Sequence, residues 1–370
     1  MRLLFYISGH GFGHAARDVE IINAIATRQP DAHITVRTDV PDWFLRASLL
    51  RHVERIAGDV DTGLVQPDGL TIDEDETART AARFYEAFPS RISREVETIR
   101  AVSADLVLGD IPPLACAAAH AAGVPAIAIG NFTWDWIYQA YPQFERLAPG
   151  VIDQIAEAYA RATLALRLPF AGGFASMPCV EPMPLVARHS QVPRHITRER
   201  QRLDNTRPVV LASFGGHGGS VSLENASASD EFLLVATDYE AGKAGVVPSN
   251  LRVIPADTLR RAELSYTDLL AAADVVVSKL GYGIVSECIA NRVPLLYTLR
   301  GRFVEQDVFL QEMPAVLRCR HIDARDVRSG DWREAVSALL TQPEPPRVMA
   351  TNGAEVVAER ILSTARFTNR

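Results

Sequence analysis

Residues 275–287 read VVVSKLGYGIVSE. The three valines form an apolar, β-branched run, the pattern of a strand buried on both faces. Gly281 and Gly283 then interrupt it, and apolar residues resume at helical spacing. A buried strand passing through a glycine turn into a helix is the repeating unit of a parallel sheet flanked by helices. Such a helix begins with backbone N–H groups that have no partner, which makes its N-terminus an anion site. Lys279 stands at the junction, one of only two lysines (with Lys243) among 38 basic residues. Glu287, further along the helix, can accept from both hydroxyls of a ribose. Each residue alone also fits a plain turn with a snorkelling lysine; together Ser278, Lys279, Gly281, Gly283 and Glu287 favour a phosphate site.

The same beat runs along the chain. Strands are expected at 3–7, 33–37, 105–109 and 125–129, then at 208–214, 231–236, 251–254, 274–278 and 293–298. Helices are expected over 14–28, near 42–50, and over 78–101, 113–122, 283–291 and about 352–365. The acidic, turn-rich stretch 59–76 reads as a solvated loop. Residues 188–207 are polar and basic and read as a linker between two strand–helix series. The expected architecture is α/β: two Rossmann-like, doubly wound domains facing each other across a cleft. They would cover 1–190 and 205–350, with residues 351–370 a helix returning to the first. Each half opens with a strand entering a Gly/His turn, SGHGFGH at 8–14 and SFGGHGG at 213–219. Ligands of open α/β sheets bind beyond the carboxyl ends of the strands, so both turns belong at the cleft.

What the first turn does is less direct. Gly9, Gly11 and Gly13 give G-x-G-x-G, not the G-x-G-x-x-G of a dinucleotide fold, and Asp39 alone is weak support for a ribose acid. Gly-Lys-Ser/Thr, the mark of a Walker loop, is absent. The alternative is a catalytic turn. His14 falls near a helix N-terminus, where the dipole disfavours a positive charge and a neutral imidazole can act as general base. A helix-capping histidine in a glycine turn is an equal alternative when His10 and His14 are taken in isolation. Gly215, Gly216 and His217 suit close backbone approach to a ligand, or a loop. In GNFTWDWIY (130–138), Trp134 and Trp136 can stack on a sugar while Asn131 and Asp135 bind hydroxyls, although aromatic clusters are more often core. Arg302, Glu305 and Gln306 follow the 293–298 strand and offer donors and acceptors to sugar hydroxyls.

At 370 residues the chain is long for one core, and its 48% hydrophobic and 22% charged residues are those of a globular protein. A net charge of −7 argues against nucleic acid as a partner. No apolar run reaches the roughly 20 residues of a membrane span, and residue 1 leads straight into a strand-like run, so a cytoplasmic location is expected. Four scattered cysteines without ligand spacing read as buried free thiols.

SGHGFGHAAR (8–17), NFTWDWIY (131–138), RLPF (167–170), SFGG (213–216) and KLGYGIVSE (279–287) occur in this order and span both halves. With them the chain resembles GT-B nucleotide-sugar glycosyltransferases, and more closely the glycosyltransferase-like N-terminal region of plant-type L-arabinokinases and its stand-alone relatives. The resemblance implies transfer of a sugar from a nucleotide diphosphate-sugar, UDP-linked by expectation, to a hydroxyl of a small-molecule or glycan acceptor. His14 would be the base and the reaction inverting. His10, Gly11, Gly13, Asp110, Asn131, Trp134 and Asp135 would lie on the acceptor side. Gly215, Gly216, His217, Ser278, Lys279, Gly281, Tyr282, Gly283, Ser286, Glu287, Arg302, Glu305 and Gln306 would bind the donor. GT-B enzymes generally need neither metal nor cofactor, because helix dipoles and basic side chains hold the leaving diphosphate. The chain has SFGGHGG and Glu-Gln where the lipid-linked N-acetylglucosaminyltransferase branch has a Gly-Gly-Ser-type loop and paired glutamines. With no Gly/Ser-rich kinase loop, the kinase activity of the fusion proteins is not expected. GFGHAAR (11–17) also resembles the Gly-x-Gly-His-x-x-Arg turn of GT-B-like nucleotide-sugar hydrolases, and a sugar-nucleotide-binding module without catalysis is a third reading.

Overall fold

A computed structural model describes residues 1–68, 70–203, 206–214, 223–226, 230–237 and 249–368. Two parallel sheets carry the fold. The first runs β3-β2-β1-β4-β5-β6-β7, from β1 (Arg2–Ile7), β2 (His33–Thr38), β3 (Glu54–Ala57), β4 (Leu106–Asp110), β5 (Ala126–Gly130), β6 (Leu164–Arg167) and β7 (Val180–Pro182). The second runs β10-β9-β8-β11-β12-β13, from β8 (Val209–Ser213), β9 (Leu233–Thr237), β10 (Leu251–Ile254), β11 (Val275–Lys279), β12 (Leu295–Thr298) and β13 (Cys319–His321). Each order reverses direction once, between β1 and β4 and between β8 and β11. The loops leaving those strands diverge there and open the crevice in which α/β sheets bind ligands.

The central strands are buried on both faces because helices cover both. Leu3, Phe5 and Ile7 of β1 join one core with α1 (Phe12–Arg28), while Leu4 and Tyr6 face the opposite layer with Val107, Ala115 and Ala119. In β11, Val276 and Val277 divide in the same way. The core containing α1 is continuous across the two halves. Val19 and Ile22 of α1, Val285 of the Tyr282–Asn291 helix and Val357 and Ile361 of the Gly353–Thr368 helix belong to one apolar cluster. The C-terminal helix packs on α1, and Arg360 clamps Glu181 through two bonds of 2.7 Å. Among the described residues no helix is long and apolar enough to cross a membrane.

Four expectations need correction. The 78–101 segment is two helices, Glu74–Glu86 and Phe88–Ala101, broken where Pro89 cannot donate its N–H. Asp73 caps the first by accepting from the Glu76 N–H at 2.8 Å. The 188–207 stretch is no free linker: Arg194–Gln201 is helical, and Arg198 binds Asp274 at 2.6 Å and the Ala272 carbonyl at 2.9 Å. The 59–76 stretch is not wholly solvated either, since Asp61 is buried. Of the cysteines, Cys116, Cys288 and Cys319 are buried free thiols, but Cys179 is exposed.

Candidate active site

The loop after β1 places the first functional group. Gly11 caps α1 with φ +80°, a conformation that costs a side chain about 1 kcal/mol or more and a glycine nothing comparable. The helix therefore turns immediately, and His14 in its first turn faces the end of β4. Its Nδ1 lies 2.8 Å from Asp110 Oδ1, and the ring meets the edge of Phe132 at 5.8 Å between centroids. Arg17, one turn on, donates from Nε and Nη2 to both oxygens of the same carboxylate. Burial alone would raise the Asp110 pKa, but the Arg17 guanidinium and His14 outweigh it and hold Asp110 below the usual carboxylate range.

That charge assignment fixes the imidazole. An ionised carboxylate only accepts, so His14 Nδ1 must carry hydrogen and donate to Asp110. Arg17 Nη2 is 3.0 Å from the same nitrogen, but a guanidinium has only donors and cannot bond a protonated Nδ1. In the neutral ring Nε2 then carries the lone pair, and it has no hydrogen-bond partner among the described residues. With 11% of its side chain exposed, His14 is held at one ring nitrogen and has the other open.

The two halves meet at this cluster. Gly13 and Gly283, one from each glycine turn, approach so closely that a Cβ on Gly283 would stand 3.4 Å from the Gly13 Cα. Arg17 lies over the Tyr282 ring at 4.9 Å. Asn131, just past β5, accepts from Arg17 Nη1 at 2.8 Å and donates to Glu305 Oε1 at 2.7 Å. Tyr141 donates to the Arg302 carbonyl at 2.7 Å. Polar contacts thus run from His14 in one half to Glu305 in the other without a break.

On the second half, Lys279 ends β11 and the Tyr282–Asn291 helix begins two residues beyond Leu280. Burial, and then the charge of Arg300, lower the Lys279 pKa to about 8, against a smaller opposing effect of Asp68. Arg300 lies over Phe303 at 4.6 Å and 3.8 Å from Glu305 Oε2, and its buried Nε has no partner among the described residues. Two cations beside a helix N-terminus make this the electropositive end of the cleft. Glu287 is buried, and Oε1 accepts from Arg188 Nε at 2.7 Å and from Nη2. A desolvated carboxylate needs such a cation, so Glu287 arrives paired, not free.

Several expected ligand contacts are already spent inside the protein. Asn131 is fully buried and both ends of its amide are engaged. Trp134, 3% exposed, stacks on Tyr138 and donates to Asp61 at 3.1 Å, so it presents no face to a sugar. Asp135 is buried and accepts from Ser176 at 2.7 Å and from the Trp136 N–H. Gln306 cross-links its own loop, accepting from the Arg300 N–H at 2.8 Å and donating to the Arg300 carbonyl at 3.1 Å. Ser278 donates to the Ser213 carbonyl and Ser286 to the Gly283 carbonyl. His10 remains part-exposed beside Asp61; burial opposes its protonation, but the Asp61 carboxylate prevails and raises its pKa. Gly215, Gly216 and His217 lie outside the described residues.

Sequence reasoning passed over Asp61, Arg17 as the partner of Asp110, Arg188 and Arg300. Asp61 accepts from Ser8 at 3.0 Å and from Trp134, tying the first turn to the aromatic segment. Arg300 carried one available signal, its position directly after a strand in the same RGR run as Arg302.

No family model matches the chain. Over 98% of its length it is 30% identical to the L-arabinokinase of Arabidopsis thaliana, and it spans about a third (34%) of that relative. Its fold is that of solved GT-B glycosyltransferases. SnogD from Streptomyces nogalater superposes with a TM-score of 0.57 at 19% identity, covering 99% of both chains. The spinosyn rhamnosyltransferase SpnG gives 0.63 at 10% identity, covering 99% of this chain and 96% of its own. SsfS6 of Streptomyces sp. SF2575, solved with thymidine diphosphate, gives 0.56 at 15% identity over 98% of this chain and 99% of its own. The chain is a GT-B-fold protein, similar over nearly its whole length to a region of L-arabinokinase.

Proposed function

We propose that the chain transfers a sugar from a nucleoside diphosphate-sugar to an acceptor hydroxyl, with His14 as general base. The observation that carries this is that an Asp110-oriented imidazole from one half is joined through Arg17, Asn131 and Glu305 to Arg300 of the other, where Gly13 packs against Gly283. Residues 1–190 form the acceptor side, 205–350 the donor side, and 351–370 the returning helix. A hydroxyl of the acceptor donates to His14 Nε2. As its proton moves to Nε2, the oxygen forms a bond to the anomeric carbon. The bond from that carbon to the phosphate oxygen breaks on the opposite face, and the diphosphate leaves with the electron pair. Attack opposite the leaving group inverts the anomeric centre. Asp110 steadies the imidazolium, and Lys279, Arg300 and the N–H groups at Gly283 meet the developing negative charge. Glu305, aimed by Asn131, is proposed to bind the donor sugar, and the Glu287 oxygen not held by Arg188 the ribose.

The neighbour solved with thymidine diphosphate supports a nucleoside diphosphate as the bound group. The proposed donor is UDP-linked, with TDP-linked sugars tested beside it. No cofactor is required in this scheme, and turnover is expected to be unchanged by a chelator. Acceptor-independent release of free sugar would instead identify a hydrolase, and binding without turnover on any acceptor a module.

Lys279 gives a direct test of the donor side. A lysine with a pKa of about 8 is charged at pH 7 and loses its charge as pH rises past 8. The affinity for UDP is therefore full at neutral pH and falls above 8, by up to about tenfold per pH unit where one proton is required. Calorimetry at about pH 7 and about pH 9 should show this fall, and Lys279→Met should bind weakly at both. A pH-independent affinity in the parent protein would remove Lys279 from the diphosphate site.

A further inference from the structure

Asp18 follows Arg17 in α1 and is completely buried. Neither of its carboxyl oxygens meets a donor among the described residues. The cation beside it is already committed: Arg17 gives Nε and Nη2 to Asp110 and Nη1 to Asn131. An ionised carboxylate so placed would have neither water nor a hydrogen bond, a state that costs far more than taking up a proton. A neutral carboxyl has one O–H to satisfy, and the acceptor in contact with it is the Asp110 carboxylate. Asp110 and Arg17 are the charged groups that act on Asp18; from the helices packed on α1, Tyr282 reaches this cluster with its ring against Arg17.

We propose that Asp18 is carried in the folded protein as a neutral carboxylic acid whose O–H donates to Asp110, making it a positioning residue for the His14–Asp110 pair. Asp110 and Arg17 then offset one another, one negative charge against one positive, and Asp18 adds no second negative charge beside the imidazole. Burial first, and then the Asp110 charge, push the Asp18 pKa well above its ordinary value, in agreement with that geometry. The catalytic part of the inference rests on the proposed role of His14; the protonation of Asp18 does not.

The sign of the linked stability follows. A carboxyl whose folded pKa is raised binds its proton more tightly in the folded chain. Its ionisation therefore costs stability as pH rises from the unfolded value near 4 toward the raised folded value. Asp110 acts only below about 4, because its pKa is lowered. Asp18→Asn keeps the shape of the protonated acid, can donate to Asp110 and removes the titration. Melting curves of both proteins from about pH 5 to about pH 8 should diverge, Asp18→Asn gaining on the parent by up to about tenfold in the folding equilibrium per pH unit. A constant gap, or an Asp18→Asn variant less stable at every pH, would show that Asp18 is an anchored carboxylate and overturn the inference. That readout uses no substrate, so its failure leaves the transferase reading intact, and loss of the transferase reading leaves it decisive. With an acceptor in hand, Asp18→Asn should keep turnover within about threefold of the parent. Asp18→Ala should move the pH dependence of kcat, and Asp18→Asn should restore it; identical profiles in both would confine Asp18 to packing.

Discussion

Asp110→Asn should lower kcat by about four orders of magnitude. The carboxylate holds the hydrogen on His14 Nδ1, so that in the neutral ring Nε2 is the nitrogen able to take a proton. An asparagine turned to accept from Arg17 presents its NH2 toward Nδ1, and the imidazole then moves its hydrogen to Nε2, the wrong tautomer for a base. In the Ser-His-Asp triad, where an aspartate fixes a histidine in the same way, this change costs about 10⁴ in kcat. The substitution also leaves Arg17, 3% exposed, without its counter-charge. Breaking a buried pair from one side costs about 3–5 kcal/mol, so the melting temperature should fall as well. Asp110→Asn tested beside His14→Ala separates the two effects. A folded Asp110→Asn protein with near-normal kcat would remove Asp110 from the mechanism.

His14→Ala should lower turnover by about 10²–10⁴-fold while leaving UDP affinity within about twofold. The alanine removes the proposed base and leaves Lys279 and Arg300 on the β11 side in place. It deletes one of the contacts to Asp110 but leaves Arg17 on both carboxylate oxygens, so the fold should persist. Steady-state rates and nucleotide calorimetry on the same preparation check both halves of the expectation. Equal losses of affinity and rate would mean that His14 shapes the donor pocket and does not act as base.

Much of this arrangement was legible in the sequence because it is local. VVVSKLGYGIVSE carries its strand, turn and helix in consecutive residues, and β11 and the Tyr282–Asn291 helix lie within a residue or so of the pattern. The place of His14 in the first turn of α1 was legible for the same reason. What the sequence hid depends on distant partners. Asp61 sits in an acidic, turn-rich tract that looks solvated; it is buried because Ser8 and Trp134, 53 and 73 residues away, reach it. Trp134 and Asn131 look like sugar ligands until the fold spends their polar groups on Asp61, Arg17 and Glu305. Asp18 carried no signal in the sequence. It is buried because α1 is covered by the sheet on one side and by the Tyr282–Asn291 and Gly353–Thr368 helices on others. The short strands β3, β6 and β7, of three or four residues, gave no periodicity to read.

The most direct measurement is a thermal-shift series with UDP, TDP and GDP and their sugar conjugates on the parent protein, His14→Ala and Lys279→Met. A ligand at 100 times its Kd stabilises by about 2.7 kcal/mol, enough for a clear rise in Tm. The expected result is stabilisation of the parent by at least one nucleoside diphosphate-sugar, kept in His14→Ala and lost in Lys279→Met. No shift with any of these compounds, or a shift that survives Lys279→Met and disappears in His14→Ala, would contradict a donor site on the second half and a base on the first.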